Sequence, residues 1–281
     1  MPRYRLLAVD IDGTLVNRND ELSRGTREAL VRARESGIQV VLATGRRYGR
    51  VLHLVEPLGI DVPLIVASGA LVKDPRDHRT LYRSEFDPSV LSRAMAILDE
   101  GGYDPVVCAD TYCEGFEIYQ PRTKVESEEL TEYFELNAGD GRVWPDLVTN
   151  PPPGVFTAFT MGKRDEMLEL DQTLHERLPG MLSSHVLRSP RYIGYMCEFA
   201  PAGVTKWSAI HRLAQGWGIG DEAICAVGDD VNDIPMIRAA GLGVAMGNAL
   251  PEAKAAADRI ARSQADDGLV EVVEWLLGDA V

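Results

Sequence analysis

Cysteine is scarce in this 281-residue chain, which contains four, and none of them forms a closely spaced pair of the kind that binds metals. We expect reduced and mostly buried thiols. The chain also lacks an apolar run that approaches the roughly 20 residues of a membrane-spanning helix. Its N-terminal segment has charges within the apolar run and no small-residue cleavage site, which argues against a secretory signal. These absences predict a cytoplasmic protein without a membrane partner.

Positive charge is also in short supply. The chain has 29 Lys and Arg against 43 Asp and Glu, a formal net charge of -14. Phosphate backbones are bound mainly by clustered Lys and Arg, so this balance argues against a nucleic-acid partner. An acidic protein that handles a phosphate needs local positive charge at its site, from a metal ion or a few placed cations. Nothing in the composition predicts the oligomeric state.

The first third of the chain alternates short apolar runs with segments of helical periodicity. Strands are expected at Arg5–Asp10, Ile38–Ala43 and Pro63–Ala67, and helices over Arg24–Ser36 and Tyr48–Leu58 lie between them. This alternation predicts an α/β fold, a doubly wound and Rossmann-like parallel sheet that is buried on both faces.

The pattern changes between residues 84 and 188, where strand-like pieces mix with helical ones and with proline-rich breaks. The alternation then returns in four expected elements, which are helices over Val204–Gly216 and Val231–Ala240 and strands over Ala223–Val227 and Leu242–Ala245. We therefore predict a discontinuous α/β core formed by residues 1–83 and 189–281, with an α+β cap domain inserted at 84–188.

Two carboxylates directly follow the first expected strand, in Asp10-Ile11-Asp12-Gly13-Thr14. Open α/β sheets bind ligands at the carboxyl ends of their strands. At a spacing of two, an extended backbone returns both side chains to one side, and Gly13 allows a sharp turn beside a ligand. One acid can then attack while the other moves protons. Alone, this segment is equally compatible with a simple turn, because Asp and Gly favour turns.

Two further segments fall at the same edge. Thr44-Gly45-Arg46 ends the second strand, where a hydroxyl and the N–H groups of a helix N-terminus bind phosphate oxygens well, although Thr44 is also competent as a plain helix cap. Lys206 begins a helix, where a cation opposes the helix dipole and so has no local stabilising reason to be there. A solvated lysine is the ordinary alternative for Lys206.

The fourth segment, Gly228-Asp229-Asp230-Val231-Asn232-Asp233, follows an apolar strand and leads into a helix. Its three carboxylates and one amide match the oxygen ligands that Mg²⁺ prefers. Helix capping by acids accounts for one or two of these side chains but hardly for all four. Together the four segments predict a nucleophile, a proton carrier, phosphate donors, a cation and metal ligands at one sheet edge.

In this order, the four segments resemble the motifs of the haloacid dehalogenase superfamily of aspartate-nucleophile phosphatases, and specifically its Cof-type branch. The resemblance covers essentially the whole chain and implies a large α+β cap inserted after the third strand. It implies that Asp10 attacks phosphorus and that Asp12 is the general acid and base. Thr44, Gly45 and Lys206 are implied to hold the phosphoryl group.

The same resemblance implies one bound Mg²⁺ as cofactor. The implied metal-binding residues are Asp10, Asp12 (through its carbonyl) and Asp229. The implied supporting residues are Asn232, Asp233 and Arg46, of which Arg46 has no assigned direct role. The chain departs from the family pattern at two positions: Ser68 stands where many relatives have Asn, and Trp207 follows the motif Lys where many have a small residue.

The expected reaction is Mg²⁺-dependent hydrolysis of the phosphate monoester of a small metabolite, through an aspartyl phosphate. A phosphomutase, which would use the same aspartyl phosphate but return the phosphoryl group to a sugar, is an open alternative. A non-enzymatic phospho-acceptor module is a weaker alternative, because the neighbouring base Asp12 would speed the loss of its own phosphate. The sequence does not name the substrate.

Overall fold

The computed structural model describes residues 3–59, 61–122, 127–188 and 192–278. Backbone contacts divide the chain into two compact units, Met1–Tyr82 with Thr205–Val281, and Arg83–Val204. No helix within these described ranges has both the length and the apolar character that crossing a membrane requires. Three of the free cysteines are buried and Cys113 is exposed.

The regular elements are short and alternate along most of the chain. The described strands are β1 (Leu6–Val9), β2 (Gln39–Leu42), β3 (Leu64–Val66), β4 (Leu71–Lys73), β5 (Thr80–Arg83), β6 (Val106–Ala109), β7 (Ile118–Gln120), β8 (Gly141–Val143), β9 (Val155–Gly162), β10 (Leu182–Leu187), β11 (Tyr195–Pro201), β12 (Ile224–Gly228), β13 (Leu242–Ala245) and β14 (Arg259–Ile260). The described α-helices are α1 (Arg24–Glu35), α2 (Leu52–Leu58), α3 (Pro88–Glu100), α4 (Glu128–Leu136), α5 (Arg164–Arg177), α6 (Lys206–Gly216), α7 (Ile234–Ala239), α8 (Pro251–Ala256) and α9 (Gly268–Leu277). Short 3₁₀ turns at Tyr48–Arg50 and Val231–Asp233 precede α2 and α7.

The first unit is built on a parallel sheet with strand order β14-β13-β12-β1-β2. Strand β1 lies inside this sheet, between β12 and β2, and is fully buried, as a strand covered on both faces must be. Leu6 and Ala8 pack in one apolar cluster with Ile210 and Ala214 of α6, while Leu7 is buried as well. Burial stabilises such a side chain by roughly 1.5–3 kcal/mol relative to its exposed state. The predicted doubly wound parallel sheet is confirmed.

The second unit is an α+β layer with strand order β10-β11-β9-β6-β7-β8, in which β7 and β8 are parallel and the other described pairs are antiparallel. Helices α3 and α5 pack their apolar sides on this sheet, through residues such as Leu98 and Leu174. The sequence prediction assigned residues 189–281 to the core. In the structure β11 belongs to the second unit, because it pairs with both β9 and β10.

The register of the parallel sheet brings the carboxyl ends of four strands together. Val9, the last residue of β1, lies opposite Val227 of β12 and Leu42 of β2. Gly228 at the end of β12 lies opposite Ala245 at the end of β13. The chain segments that follow β1, β2, β12 and β13 therefore begin side by side at one edge of the sheet.

Candidate active site

Asp10 is the first residue after β1, and its position is fixed by a backbone N–H that donates to the Val227 carbonyl at 3.0 Å. Its carboxylate is buried, with 4% of the residue exposed. The ammonium of Lys206 donates to Asp10 Oδ1 and to Asp233 Oδ1, each at 2.6 Å. Asp10, Lys206 and Asp233 thus form a buried charge cluster at the end of β1.

Lys206 reaches this cluster because it opens α6. Thr205 is the N-cap of that helix and accepts from the Ser208 N–H at 3.1 Å, while the Ser208 hydroxyl accepts from the Thr205 N–H at 3.0 Å. Such reciprocal capping fixes where the helix begins. The helix dipole disfavours a cation in the first turn of α6, but the two carboxylates that Lys206 binds stabilise its charge there.

In the acidic segment after β12, some side chains bind the backbone of the turn and some lie beside Lys206 and Asp10. Asp230 caps the 3₁₀ turn by accepting from the Val231 N–H at 2.6 Å. Asp233, which is fully buried, accepts from the Asp229 N–H at 2.8 Å and from the Asp230 N–H at 3.0 Å. Thr14 donates to Asp229 Oδ1 at 3.1 Å. Asp230 and Asp233 therefore both cap the turn, and Asp233 also binds Lys206, while a carboxylate oxygen of Asp229 lies within 4.8 Å of those of Asp10 and Asp233.

Two glycines permit this close packing. Gly13 has a positive φ of 79°, and a Cβ there would lie 2.3 Å from Asp229 Oδ2. A Cβ on Gly228 would lie 2.4 Å from Asp233 Cγ. Any side chain at either position would push an acid of the cluster away, so both segments need glycine for a steric reason.

Burial and mutual repulsion govern the protonation of the acids. Burial, with the Asp233 charge adding to it and Lys206 opposing it, raises the pKa of Asp10 well above its ordinary value. Burial and the charges of Asp233 and Asp230 raise the pKa of Asp229 to about 8. Burial alone would lower the pKa of Lys206, but Asp10 and Asp233 outweigh it, and the pKa rises above its ordinary value.

This charge cluster has the chemistry of a Mg²⁺ site. One carboxylate oxygen from each of Asp10, Asp229 and Asp233 lies within 4.8 Å of the others. Among the described residues, these three acids form the group with metal-ligand spacing. Carboxylate oxygens are the ligands that Mg²⁺ prefers. Burial first, and then the charges of neighbouring acids, raise the pKa values of Asp10 and Asp229, and a bound divalent cation would favour the ionised form of both. The residues present therefore fit the ion.

Asp12 has a different partner from Asp10. Arg46 forms a hydrogen bond with each oxygen of the Asp12 carboxylate: Nε donates to Oδ2 and Nη2 donates to Oδ1, at 2.8 Å each. Arg46 Nη2 also donates to Asp20 Oδ1 at 2.7 Å. Such fork-shaped pairing is geometrically specific and fixes the plane of the carboxylate. The guanidinium holds Asp12 at the rim of the site, where its side chain is one-third exposed.

Thr44 and Gly45 follow β2 directly beside the end of β1, since the Ala43 N–H donates to the Val9 carbonyl at 3.0 Å. The Thr44 hydroxyl is buried and accepts from the Arg46 N–H at 3.1 Å. A Cβ on Gly45 would lie 3.3 Å from Ser68 Oγ and 3.4 Å from Asn232 Nδ2. Gly45 therefore leaves its backbone open beside these two polar side chains.

The comparison with known proteins identifies the family. The family model described as haloacid dehalogenase-like hydrolase matches residues 7–273. This chain belongs to that family. Phosphatase YwpJ of Bacillus subtilis (strain 168) is 28% identical over 97% of this chain and 100% of its own length. The 5-amino-6-(5-phospho-D-ribitylamino)uracil phosphatase YwtE of the same organism is also 28% identical, over 97% of this chain and 98% of its own.

A solved structure gives the same answer for the fold. The crystal structure of a haloacid dehalogenase-like hydrolase from Bacteroides thetaiotaomicron superimposes with a TM-score of 0.76 at 28% identity, over 97% of this chain and 99% of that one. The predicted superfamily and its Cof-type branch are confirmed, and the relatives support the predicted phosphatase class.

The two departures from the family pattern have distinct settings in this haloacid dehalogenase-like hydrolase. Ser68 lies in a left-handed conformation, with φ 52°, and its hydroxyl accepts from Asn232 Nδ2 at 3.4 Å. Trp207 packs against the apolar cluster of the core, 5.8 Å from the His211 ring. Ser68 is thus adjacent to candidate site residues, whereas Trp207 contributes to packing.

Sequence reasoning assigned no role to three residues that touch this hydrolase's site. Thr14 stands in the first motif and binds Asp229, Asp20 binds Arg46, and Asn248 donates to the Gly13 carbonyl. Asn248 follows β13, an apolar strand that ends at the same sheet edge as β1, β2 and β12, and this is the signal that singled out the other motifs. Asp20 carries no such signal, because it lies in a turn between β1 and α1.

Proposed function

We propose that this phosphatase hydrolyses the phosphate monoester of a small metabolite through an aspartyl phosphate on Asp10, with Mg²⁺ bound by the acids after β1 and β12. The observation that carries the proposal is the buried cluster of Asp10, Lys206 and Asp233, with Asp229 beside it. A relative named for a phosphoribitylamino-uracil supports a small phosphorylated metabolite as the substrate class.

Asp10 is the proposed nucleophile. Lys206 occupies its Oδ1, which leaves Oδ2 to attack phosphorus. The bond from phosphorus to the leaving alcohol breaks as the bond to Asp10 forms, and the negative charge on the phosphoryl oxygens is stabilised by Lys206 and by the Thr44 and Gly45 segment. When bound, Mg²⁺ neutralises further charge on the acids and the phosphate.

Asp12 is the proposed proton carrier. It gives a proton to the departing alcohol and later takes one from the water that hydrolyses the aspartyl phosphate. Arg46 donates once to each Asp12 oxygen, and because a carboxylate has about four lone-pair positions, this pairing does not bar a proton from Asp12. We propose that Arg46 keeps the Asp12 carboxylate in its orientation, while Asp20 accepts from the same Nη2 that binds Asp12 Oδ1.

The remaining residues of the predicted site support this arrangement. Asp229 is the proposed metal ligand from the second acidic segment, together with Asp10 and the Asp12 carbonyl. Asp233 is proposed to orient the segment through its two backbone hydrogen bonds, and Asn232 to hold Ser68. The second unit is proposed to act as the cap that selects the substrate. A cytoplasmic location stays a prediction.

The test is a phosphate-release assay on a panel of phosphorylated metabolites, with purified protein and Mg²⁺. The proposal predicts release from at least one small phosphate monoester, loss of release with EDTA, and its recovery when Mg²⁺ is restored. Ca²⁺ should substitute poorly, because it adopts looser coordination geometry. Full activity of a metal-stripped sample would remove the metal from the mechanism, and an Asp10→Asn sample identifies any contaminating phosphatase.

A further inference from the structure

Asn248 lies in the segment between β13 and α8, three residues beyond the end of β13. Its side-chain amide connects two other segments of the core. Nδ2 donates to the Gly13 carbonyl at 2.8 Å, and Oδ1 accepts from the Gln264 N–H at 2.8 Å. A carbonyl can only accept and an N–H can only donate, so these two backbone partners fix which way the amide points.

The donor end of this amide also faces Asp229. Nδ2 lies 3.4 Å from Asp229 Oδ2, while Thr14 donates to the other oxygen, Oδ1. The Gly13 turn is packed so closely against Asp229 that a Cβ on Gly13 would lie 2.3 Å from Oδ2. A shift of the Gly13 carbonyl would therefore change the space in which the Asp229 carboxylate sits.

The backbone on either side of Asn248 is anchored by hydrogen bonds to Arg262, to Lys254 of α8 and to Asp229. The Gly247 N–H donates to the Arg262 carbonyl at 3.1 Å, and Lys254 Nζ donates to the Gly247 carbonyl at 2.6 Å. The Leu250 N–H donates to the Asp229 carbonyl at 2.9 Å. These hydrogen bonds fix the backbone position of Asn248, and its side chain in turn restrains Gly13 and Asp229.

We propose that Asn248 is a positioning residue for the metal site: its Nδ2 holds the Gly13 carbonyl and the Asp229 carboxylate in the arrangement that binds the divalent ion. This inference rests on the proposed function. Groups that orient metal ligands from outside the coordination shell typically change metal affinity by about 10- to 100-fold when they are removed. Asn248 is exposed, so its truncation removes these hydrogen bonds without opening a core cavity.

The test measures Mn²⁺ binding to metal-stripped protein without substrate, by the electron paramagnetic resonance signal of the free ion. Asn248→Ala should weaken binding about 10- to 100-fold. Gln264→Pro is the matched control, because it removes the N–H that Asn248 Oδ1 accepts and leaves Asn248 Nδ2 and its two partners in place. Gln264 opens a 3₁₀ turn, and Ser263 before it has φ -67° and ψ 162°, so proline fits there. This control should keep wild-type affinity within about threefold.

The possible results distinguish failure of the proposed metal site from failure of the role proposed for Asn248. Wild-type protein that binds no Mn²⁺, or binds it as well after Asp229→Asn, would overturn the metal site and this inference with it. Tight wild-type binding that survives Asn248→Ala would overturn only the inference. Equal weakening by Asn248→Ala and Gln264→Pro would overturn it too, because the role would then be general support of the segment. Circular dichroism verifies folding, and Asn248→Ser serves in place of Asn248→Ala if the latter does not fold.

Discussion

Lys206 occupies a position that folding alone disfavours. It is an ammonium with 1% of its surface exposed, in the first turn of a helix whose dipole repels it. Its two carboxylate partners compensate for lost hydration, yet buried ion pairs are often no more stabilising than apolar residues of the same volume. Stability alone gives no reason for this cluster, whereas the proposed binding of a phosphoryl dianion would give one.

The two acids of the first motif differ in their partners rather than in their chemistry. Asp10 faces Lys206 inside the protein, and Asp12 faces Arg46 near solvent. A nucleophile must stay close to the phosphoryl-binding cation, and a proton carrier must reach the leaving group and water. The cation that each carboxylate binds is therefore compatible with the two roles proposed for them.

Asp12→Ala tests the proton-carrier role through the leaving group. The mutant should form the aspartyl phosphate roughly 10²- to 10⁴-fold more slowly from an alkyl phosphate, whose leaving oxygen needs a proton. With p-nitrophenyl phosphate, it should release about one equivalent of nitrophenol in a burst and then turn over slowly, since the intermediate accumulates. Stopped-flow absorbance measures the burst.

The matched control is Asp20→Ala, which removes the other carboxylate partner of Arg46 and leaves Asp12 in place. It should slow both substrates modestly and show no burst. If Asp12→Ala instead slows both substrates equally without a burst, Asp12 only positions other groups and the proton carrier is a different residue.

At the scale of the elements, the four strands that form the catalytic edge are the most predictable part of the chain. β1, β2, β12 and β13 are short apolar strands, and the sequence predicted each to within one or two residues. Partly exposed strands such as β10 and β14 carry no comparable apolar pattern, and the sequence reasoning did not predict them. Helix type was less predictable: the helix expected over Val231–Ala240 begins with a 3₁₀ turn.

The raised pKa of Asp229, in the acidic segment after β12, predicts that the free energy of unfolding depends on pH. Folding raises the pKa of Asp229 from an ordinary 3.8 to about 8, so between these values the folded protein holds a proton that the unfolded chain has released. Stability contributed by this group is complete at low pH and is lost as the pH rises through that window. In EDTA, the slope for Asp229 alone reaches about 1.4 kcal/mol per pH unit.

Urea unfolding of the metal-free protein at several pH values across this window measures the effect. Asp229→Asn should flatten the decline of unfolding free energy with pH, and the raised pKa of Asp10 should leave a smaller decline of the same sign. Asp230→Asn is the comparison variant, because Asn still caps the 3₁₀ turn and Asp229 remains. The Asp230 charge helps to raise the pKa of Asp229, so this variant should keep the decline but confine it to a narrower pH window. An unchanged slope in Asp229→Asn would show that this carboxyl is ionised in the folded protein.

At the scale of the whole molecule, the site gathers side chains that lie far apart along the chain, from Asp10 to Asn248. The sequence predicted that the motifs meet, because parallel strands present their carboxyl ends at one edge. It did not predict that Arg46 binds Asp12 or that Asn248 binds Gly13, because these contacts depend on how loops of irregular conformation cross that edge. Strand order constrains where loops begin but not which side chains touch.

The most direct test of the account is to locate the phosphoryl group on the protein. Asp12→Ala protein is mixed with p-nitrophenyl phosphate and Mg²⁺, quenched in acid and digested, and the peptides are examined by mass spectrometry. If Asp10 is the nucleophile, one added phosphoryl group is found on Asp10, and none is found in the Asp10→Asn/Asp12→Ala double variant. A phosphoryl group on any other residue, or a nitrophenol burst without a phosphorylated peptide, would contradict it.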